Sequence, residues 1–339
     1  MIRWLNHKQI DHDRIRGILS ESEEANHFTN FGPVSRKLEE RLHKLLQIDI
    51  NKSVVVTSSG TAALHALVST FNKIKGYELM FDVPAFTFPS AAQGSSSYCS
   101  IIDVNDTMGP DIYDVRNDGF IMTNVFGNVI KLEHYENFAK KNNKILIYDN
   151  AATPFTFYQG TNCLNRGDGS FISLHHTKPL GFGEGGAVII DKKYESIVRQ
   201  MINFGFDDGK WSEWGSNWKM SDIAAAYIYA YLDKFERIVE MHIILYNYFK
   251  RNLPSHATLY PNFSDGTPFV SCLPILMDKP INFASSDIEV KKYYKPLKDL
   301  HNAQSFYDRT ICFPCHVDIM PRHVDFMLEA ISNLGKINV

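Results

Sequence analysis

The sequence predicts an α/β protein with a large domain, built on a mainly parallel sheet, and a small C-terminal α+β domain. Short apolar runs of the buried-strand type recur along the chain, and helical stretches separate several of them. This alternation favours a parallel sheet covered by helices, because each parallel connection needs a crossover. The strand-like runs begin at or near Val54, Leu79, Ile101, Phe120, Lys144, Ser170 and Ala187.

Helices are predicted between these runs from apolar periodicity and from end signals. Residues 34–46 form an amphipathic pattern, and Pro33 suits the first turn of that helix because its φ angle is already helical. Residues 132–142 form a second helical stretch between two predicted strands.

The C-terminal third has a different pattern. A long helical stretch covers residues 221–253 and is rich in alanine, tyrosine, isoleucine and leucine. A strand over 269–276 and a terminal helix over 321–334 follow. We therefore predict a large domain over residues 1–240 and a small domain over residues 241–339.

Composition narrows the class of protein. The 339 residues are 44% hydrophobic, which is enough for a large buried core. The net charge of −3, with both signs mixed along the chain, does not indicate a nucleic-acid or membrane surface. The N-terminus lacks an apolar signal core, and the five cysteines form no dense framework. We expect a cytoplasmic protein that binds neither nucleic acid nor membrane.

The segment around Lys178 is the strongest chemical signal. An apolar run ends at Ser173, Lys178 follows five residues later, and a glycine-rich bend leads into a second apolar run. A serine hydroxyl can hold a phosphate and a lysine amine can form a Schiff base, so the pattern suits a small phosphorylated aldehyde. The alternative interpretation is a surface lysine in a flexible loop.

An anion-binding turn is predicted upstream. The β-branched run that begins at Val54 leads into Ser59, Gly60 and Thr61, and a helical stretch follows. Free N–H groups and the helix dipole would both favour a phosphate at this helix N-terminus. An ordinary strand–helix connection with a serine cap remains the alternative.

Two further strand ends carry candidate groups. Asp149 ends an apolar strand, and open α/β sheets bind ligands at such carboxyl ends. A carboxylate there could hold a protonated pyridine nitrogen, although it could also cap the next element. Phe88 follows another predicted strand and could stack on a cofactor ring, but an isolated phenylalanine is more often a core residue.

Seven short stretches, spread over nearly the whole chain, match one known family in order. They resemble the DegT/DnrJ/StrS sugar aminotransferases, which belong to fold type I of the enzymes that use pyridoxal 5′-phosphate (PLP). The stretches are Thr29-Asn30-Phe31-Gly32-Pro33, Ser59-Gly60-Thr61-Ala62-Ala63-Leu64, Pro84-Ala85-Phe86-Thr87-Phe88, Asp149-Asn150-Ala151, residues 173–186, Gly215-Ser216-Asn217-Trp218-Lys219-Met220 and Phe313-Pro314-Cys315-His316.

The resemblance implies a role for each matched residue. Lys178 would form the Schiff base with PLP and shuttle the proton, Asp149 would pair with the pyridine nitrogen, and Phe88 would stack on the ring. Asn217 matches an asparagine that reaches the cofactor phosphate of the neighbouring subunit, which implies a homodimer with shared active sites. The residues implied to bind the phosphate are Ser59, Gly60, Thr61 and Ser173, and those near the sugar are Thr29, Asn30 and Phe31.

The chain departs from the family pattern at two positions. Ala152 stands where the family usually has glutamine or histidine, which removes one polar contact near the cofactor's phenolic side. Lys219 replaces the usual arginine before a methionine. Some relatives carry histidine in place of the Schiff-base lysine and are dehydratases, and Lys178 argues against that activity.

The resemblance implies transfer of an amino group from L-glutamate to a nucleotide-linked keto-deoxysugar, giving a nucleotide-linked amino sugar. Amination at carbon 3 and at carbon 4 are both compatible with the sequence, and no metal site is expected. One alternative is a PLP-binding regulatory protein without turnover. Another is a fold type I aminotransferase that acts on an amino acid.

Two motifs are interpreted as structural. Residues 312–316 fit the C-x-x-C-H pattern of haem attachment, but they suit a short strand followed by a turn. Residues 181–186 fit the G-x-G-x-x-G pattern of dinucleotide binding. That pattern should follow a strand and open a helix, whereas here it precedes a strand-like run.

Overall fold

A computed structural model describes residues 1–129, 131–261 and 266–334. Within these residues the strands are β1 (Lys52–Thr57), β2 (Phe81–Pro84), β3 (Cys99–Ile102), β4 (Gly119–Thr123), β5 (Ile145–Asp149), β6 (Phe157–Tyr158), β7 (Thr161–Asn162), β8 (Gly169–Ser173), β9 (Gly186–Asp191), β10 (Ala257–Leu259), β11 (Gly266–Thr267), β12 (Cys272–Met277) and β13 (Thr310–Pro314). The α-helices are α1 (His12–Glu24), α2 (Pro33–Leu45), α3 (Gly60–Lys75), α4 (Leu132–Lys141), α5 (Glu195–Ile202), α6 (Asp222–Tyr231), α7 (Phe235–Asn252), α8 (His301–Arg309) and α9 (Pro321–Leu334).

The central sheet has seven strands in the order β1-β9-β8-β5-β4-β2-β3. Strands β3, β2, β4, β5 and β8 run parallel, and β9 is antiparallel to both of its neighbours. The predicted mainly parallel sheet is therefore confirmed, and each of the seven predicted runs overlaps one of its strands. The carboxyl ends of β4, β5 and β8 lie side by side, because these strands are adjacent and parallel.

Helices cover both faces of the sheet, which explains why strands such as β1 are buried along their whole length. Val54 and Val56 belong to a core cluster with residues of α2 and α6. Val55, which points to the opposite face, packs with residues of α3. A continuous β-branched run is thus what a doubly covered strand requires.

Helix α2 confirms the prediction for residues 34–46, and its N-terminus is capped from far away in the sequence. The Asp222 carboxylate accepts hydrogen bonds from Val34 N–H (3.0 Å) and Ser35 N–H (2.9 Å). A Cβ at Gly32 would lie 2.4 Å from an Asp222 oxygen, so a glycine permits this contact. The cap ties α2 to the start of α6.

The long helical stretch over 221–253 is two helices in the structure. Helix α6 begins after Ser221, whose Oγ accepts a hydrogen bond from Ala224 N–H, and it ends at Tyr231. A 3₁₀ turn over Leu232–Lys234 separates it from α7 and places Asp233 against Arg14 and Arg41. None of the described helices is long and apolar enough to cross a membrane.

A second, three-stranded sheet has the order β10-β12-β13 and packs with α7 and α9. The predicted strand over 269–276 begins three residues late, at Cys272, because Phe269 N–H donates to Thr156 Oγ1 instead of joining the sheet. The core cluster between this sheet, α7 and α9 also includes Ile2. The division of the chain into two domains at residue 240 stays a prediction, since α7 crosses that position. Residues 262–265 and 335–339 of the predicted small domain lie outside the described residues.

The two motifs interpreted as structural lie where that interpretation predicts. Cys312 is buried in β13, and His316 Nε2 lies 3.0 Å from the Arg3 carbonyl oxygen. The glycine-rich residues 181–186 lead into strand β9 and not into a helix. The strand contexts predicted for both motifs are therefore confirmed.

Candidate active site

A cavity of about 430 Å³ lies at the carboxyl ends of the central strands. Thr123 from β4, Asp149 from β5 and Ser173 from β8 line its floor. Lys178 enters from the loop between β8 and β9. The structure thus brings together residues that are distant in sequence, because the three strands are neighbours in the sheet.

Lys178 lies in a tightly folded loop. Its N–H donates to the His175 carbonyl (2.8 Å), and its own carbonyl accepts from Gly181 N–H (3.1 Å). A Cβ at position 181 would lie 2.2 Å from the His175 carbonyl oxygen, so the close approach requires glycine there. Burial lowers the pKa of the Lys178 amine, and the nearby Asp149 charge acts in the opposite direction. The amine therefore loses its proton more readily than an exposed lysine does.

Asp149 is 5% exposed, at the end of β5. One of its oxygens accepts a hydrogen bond from Ala151 N–H (2.9 Å). Burial raises the pKa of this carboxyl to about 6, while the Ala151 N–H and the Lys178 charge oppose the shift. A cation placed against this carboxylate would be strongly favoured, because it would offset the cost of burying the charge.

The N-terminus of helix α3 also lines the cavity. Ser59 is the N-cap of α3, and its Oγ accepts a hydrogen bond from Ala62 N–H (3.0 Å). The first N–H groups of α3, from Gly60 and Thr61, have no acceptor within the helix. A Cβ at Gly60 would lie 2.8 Å from Ser173 Cβ, so the glycine allows the helix and the β8 end to meet. Backbone donors, serine hydroxyls and a helix dipole together suit a phosphate.

Phe88 has an exposed side chain and is not a core residue. It is 57% exposed and lines the cavity just before a short 3₁₀ helix. An aromatic ring exposed at a cavity can cover the face of a planar ligand.

Four of the predicted site residues lie outside this cavity. Thr29 and Asn30 are exposed, and Phe31 places its ring between the guanidinium groups of Arg36 (5.2 Å) and Arg199 (5.5 Å). Asn217 is exposed and forms a backbone bridge with Asn203. Within the described part of the chain, these residues do not line the cavity that holds Lys178.

The two departures from the family pattern have defined surroundings. Ala152 lines the cavity, and its carbonyl accepts a hydrogen bond from Ser271 Oγ (2.6 Å). Lys219 donates from Nζ to Asn203 Oδ1 (2.6 Å) and lies over the Phe204 ring at 4.5 Å. Ala152 therefore supplies no side-chain polar group to the cavity, while Lys219 keeps a cation beside the segment that carries Asn217.

Sequence reasoning missed a group of four aromatic residues that line the cavity, which we call the aromatic wall. Trp4 and Tyr293 form a tilted ring pair with centroids 5.9 Å apart, and Tyr294 stacks on Phe126 at 5.5 Å. All four residues line the cavity. They come from the N-terminus, the segment after β4 and the segment between β12 and β13, and no local periodicity connects such segments.

The donor set of the cavity fits PLP. The ligand's phosphate matches the α3 N-terminus with Ser59 and Ser173, its pyridine nitrogen matches Asp149, and its aldehyde matches the Lys178 amine. Gly60 and Thr61, which open α3, both line the cavity, and Gly60 packs closely against Ser173. The phosphate, the pyridine nitrogen and the aldehyde of PLP thus each have a chemically suited partner among the lining residues.

The fold and this donor set are those of a PLP-dependent aminotransferase. More specifically, the chain belongs to the DegT/DnrJ/EryC1/StrS aminotransferase family, whose sequence model matches residues 9–332. The resemblance drawn from the seven sequence stretches and the prediction of PLP as cofactor are therefore confirmed.

Individual relatives are similar over most of their length. The chain is 22% identical to the dTDP-4-amino-4,6-dideoxy-D-glucose transaminase of Shigella dysenteriae, covering 91% of this chain and 92% of that protein. It is 24% identical to the UDP-4-amino-4,6-dideoxy-N-acetyl-beta-L-altrosamine transaminase of Campylobacter jejuni, covering 84% and 85%. A putative sugar aminotransferase of Streptococcus pneumoniae, Spr1654 in its PMP form, shares the fold with a TM-score of 0.84, 15% identity and coverage of 99% and 100%.

Proposed function

We propose that the protein transfers an amino group from L-glutamate to the keto group of a nucleotide-linked deoxysugar. The observation that carries the proposal is the meeting of Lys178, Asp149 and the N-terminus of α3 in one cavity. Relatives similar over most of the chain are nucleotide amino-sugar transaminases by name. Both names place an amine at carbon 4, so a 4-keto-6-deoxyhexose is the preferred acceptor for testing.

Lys178 is the proposed catalytic base and acid. Bound PLP supplies an electron sink that stabilises carbanion charge. The Lys178 amine takes the proton from the donor's α carbon and delivers it on the cofactor side, then runs the same transfer in reverse for the sugar. Burial favours this role, because it lowers the pKa of the amine and so makes the unprotonated form easier to reach.

Asp149 is proposed to hold the proton on the pyridine nitrogen. Its buried carboxylate gains a favourable partner when a cationic N–H faces it, since burial alone disfavours its charge. The Ala151 N–H holds one carboxylate oxygen, and a side-chain hydrogen bond with Thr123 also favours the charged form and lowers the pKa of Asp149. Phe88 is proposed to cover the ring face.

The phosphate is proposed to lie at the N-terminus of α3. Gly60 and Thr61 offer backbone N–H groups there, and Ser173 offers a hydroxyl from the end of β8. Ser59 holds the helix start in place through its bond to Ala62 N–H. This arrangement orients the cofactor between an anion site and the Asp149 carboxylate.

A second copy of the chain is proposed to complete the site. Asn217 is exposed and lies outside its own protomer's cavity, which suits a residue that reaches the phosphate in a partner. Thr29, Asn30 and Phe31 are proposed to contact the sugar side of the site. A homodimer with shared active sites and a cytoplasmic location stay predictions.

The aromatic wall is proposed to contact the nucleotide-linked sugar. Trp4 and Tyr293 form a ring pair that lines the same cavity as Asp149 and Ser173. Aromatic rings offer flat apolar faces to sugar rings and bases.

The test is a transamination assay with purified protein, PLP, L-glutamate and a dTDP- or UDP-linked 4-keto-6-deoxyhexose. Formation of the nucleotide-linked amino sugar with an equal amount of 2-oxoglutarate supports the proposal. Conversion of PLP by glutamate without sugar amination would redirect the search to another keto acceptor. PLP binding without any amino transfer would support a regulatory protein and contradict the proposal.

A further inference from the structure

Lys8 makes an unusual contact with the loop that carries Lys178. Its ammonium nitrogen donates to the carbonyl oxygens of Lys178 (2.7 Å) and Gly181 (2.5 Å). These carbonyls mark the two ends of the turn that follows Lys178. Lys8 comes from the N-terminal segment, 170 residues away in the chain. The contact therefore joins two distant segments at the residue proposed to do the chemistry.

The Lys8 cation is held by dipoles and not by an anion. Its Nζ lies 4.7 Å from the centre of the Tyr231 ring. Among the described residues, no carboxylate forms a salt bridge with it, and burial lowers its pKa to about 7. The titratable groups that face it are His176, His242 and Tyr231. Its hydrogen bonds to the two carbonyl oxygens of the Lys178 loop offset part of the cost of burying this amine.

The segment that carries Lys8 is anchored at its other end. Ile2 N–H donates to the Asp287 carbonyl (2.6 Å), and Glu289 N–H donates to the Ile2 carbonyl (2.9 Å). Between the two anchors, Trp4 lines the cavity. The segment thus spans from the residues beside the C-terminal sheet to the Lys178 loop along one wall of the site.

We propose that Lys8 is a positioning residue for Lys178. Its two hydrogen bonds fix the main chain on the C-terminal side of Lys178, and so fix the direction in which the amine enters the cavity. Gly181 allows the tight fold of the loop, and the hydrogen bonds from Lys8 stabilise that fold. The inference rests on the proposed function of Lys178, since positioning matters only if the amine reacts.

Loss of this contact would affect reaction more than binding. The proposed phosphate site at α3 and the Asp149 carboxylate do not contact Lys8. Without Lys8, the Lys178 and Gly181 carbonyls lose a charged donor, and the loop gains freedom. A misplacement of about 1 Å can slow a reaction by roughly a hundredfold, so a small shift of the loop is sufficient.

The experiment compares the wild-type protein with Lys8→Met, Lys8→Arg and the control Lys234→Met. Lys234 Nζ also donates to a main-chain carbonyl of the N-terminal segment, that of Gln9 (2.8 Å), but it lies on the surface. Each protein is mixed with PLP and reduced with borohydride at timed intervals, and mass spectrometry measures the cofactor fixed on the Lys178 peptide. PLP affinity, kcat and KM for L-glutamate, and the melting temperature are measured alongside.

We expect Lys8→Met to fix PLP on Lys178 about tenfold more slowly and to lower kcat by a similar factor, with PLP affinity and KM within about twofold of wild type. Lys8→Arg keeps a charged donor and restores most of the rate. Lys234→Met behaves as wild type. If the methionine variant fails to fold, the fixation rate of the arginine variant is compared with that of the wild-type protein instead.

Wild-type fixation rates in Lys8→Met would overturn the inference. A folded Lys8→Met protein whose fixation rate falls only in proportion to its PLP affinity would also overturn it. A Lys8→Arg protein that fixes PLP no faster than Lys8→Met would do the same. Failure of the proposed function looks different, because the wild-type protein would then transfer no amino group from L-glutamate to the nucleotide-linked sugar, whatever its rate of PLP fixation on Lys178.

Discussion

Asp149 and Lys178 face the same cavity and oppose the effect of burial on each other. Burial raises the pKa of the Asp149 carboxyl to about 6 and lowers the pKa of the Lys178 amine, and the charge of each group acts against the shift of the other. Without a ligand, both groups are therefore displaced towards their neutral forms. A ligand with a cationic N–H for Asp149 and an electrophilic carbon for Lys178 would relieve both costs.

Asp149→Asn should slow amino transfer by about a hundredfold or more, because the amide cannot keep the pyridine nitrogen protonated. Asp168→Asn is the matched control. Asp168 is an exposed residue whose carboxylate accepts a hydrogen bond from Leu146 N–H (2.8 Å), and its pKa is also raised by desolvation. It does not line the cavity. Equal rates in the two variants, measured in the transamination assay, would contradict the role of Asp149.

The same residue predicts how stability depends on pH in the PLP-free protein. The pKa of Asp149 is about 6 when folded and 3.8 as the ordinary value, so the folded state keeps a proton that the unfolded state loses. Its stabilising contribution is complete below about pH 4 and is lost as the pH rises to about 6. Urea unfolding should show Asp149→Asn gaining about 3 kcal/mol relative to wild type across this interval. A difference that is constant with pH would rule this out.

Asn217→Ala and Lys178→Ala should complement each other if active sites are shared. Lys178→Ala alone should be inactive, and Asn217→Ala alone should bind PLP more weakly. After unfolding and refolding together in equal amounts, mixed dimers form, and about a quarter of all sites should carry neither change. Recovery of about that fraction of wild-type activity is expected. A mixture with no more activity than the two separate proteins would argue for a self-contained protomer.

Trp4→Ala should separate sugar binding from the reaction with L-glutamate. The Trp4 ring lines the cavity as part of the aromatic wall proposed to contact the sugar, so its loss should raise KM for the nucleotide sugar by about tenfold. The half-reaction with glutamate should keep its rate. Tyr113→Ala, which removes a 79% exposed ring outside the cavity, is the control. An equal loss in both half-reactions would mean that Trp4 supports the fold and does not contact the sugar.

A buried ion pair behind the phosphate site predicts a large loss of stability. Glu39 pairs with Arg199 (2.8 Å) and accepts a hydrogen bond from Val56 N–H (3.0 Å) on β1. Glu39→Ala leaves the guanidinium and the N–H without this partner and should cost about 3 kcal/mol in the free energy of unfolding. Glu21→Ala breaks an exposed pair with Lys37 and should cost less than about 1 kcal/mol. Similar losses in denaturant titrations would contradict this difference.

Much of the fold could be predicted because its signals are local. The β-branched run from Val54 becomes a strand buried on both faces, and the small residues after it become the start of α3. Asp149 and Ser173 are each predicted at the end of an apolar strand, and these strands, β5 and β8, are parallel neighbours in the sheet. The floor of the site is thus accessible to sequence reasoning.

The remaining walls of the site depend on contacts that leave no local pattern. Trp4 and Tyr293 meet across 289 positions, and Lys8 meets Lys178 across 170. The break between α6 and α7 was missed for a related reason, since its Asp233 is paired with Arg14 and Arg41 from other helices. In each case, tertiary partners determine the arrangement, and helical or strand periodicity does not reveal them.

The central claim is most directly tested by the visible absorption spectrum of the PLP-loaded protein before and after addition of L-glutamate, with Lys178→Ala as control. The account predicts a visible band from PLP linked to the protein, its absence in Lys178→Ala, and its replacement by the spectrum of pyridoxamine phosphate when glutamate is added. A band that glutamate leaves unchanged would contradict the proposed amino donor. A wild-type protein that shows no such band with PLP would contradict the assignment of Lys178 and the mechanism built on it.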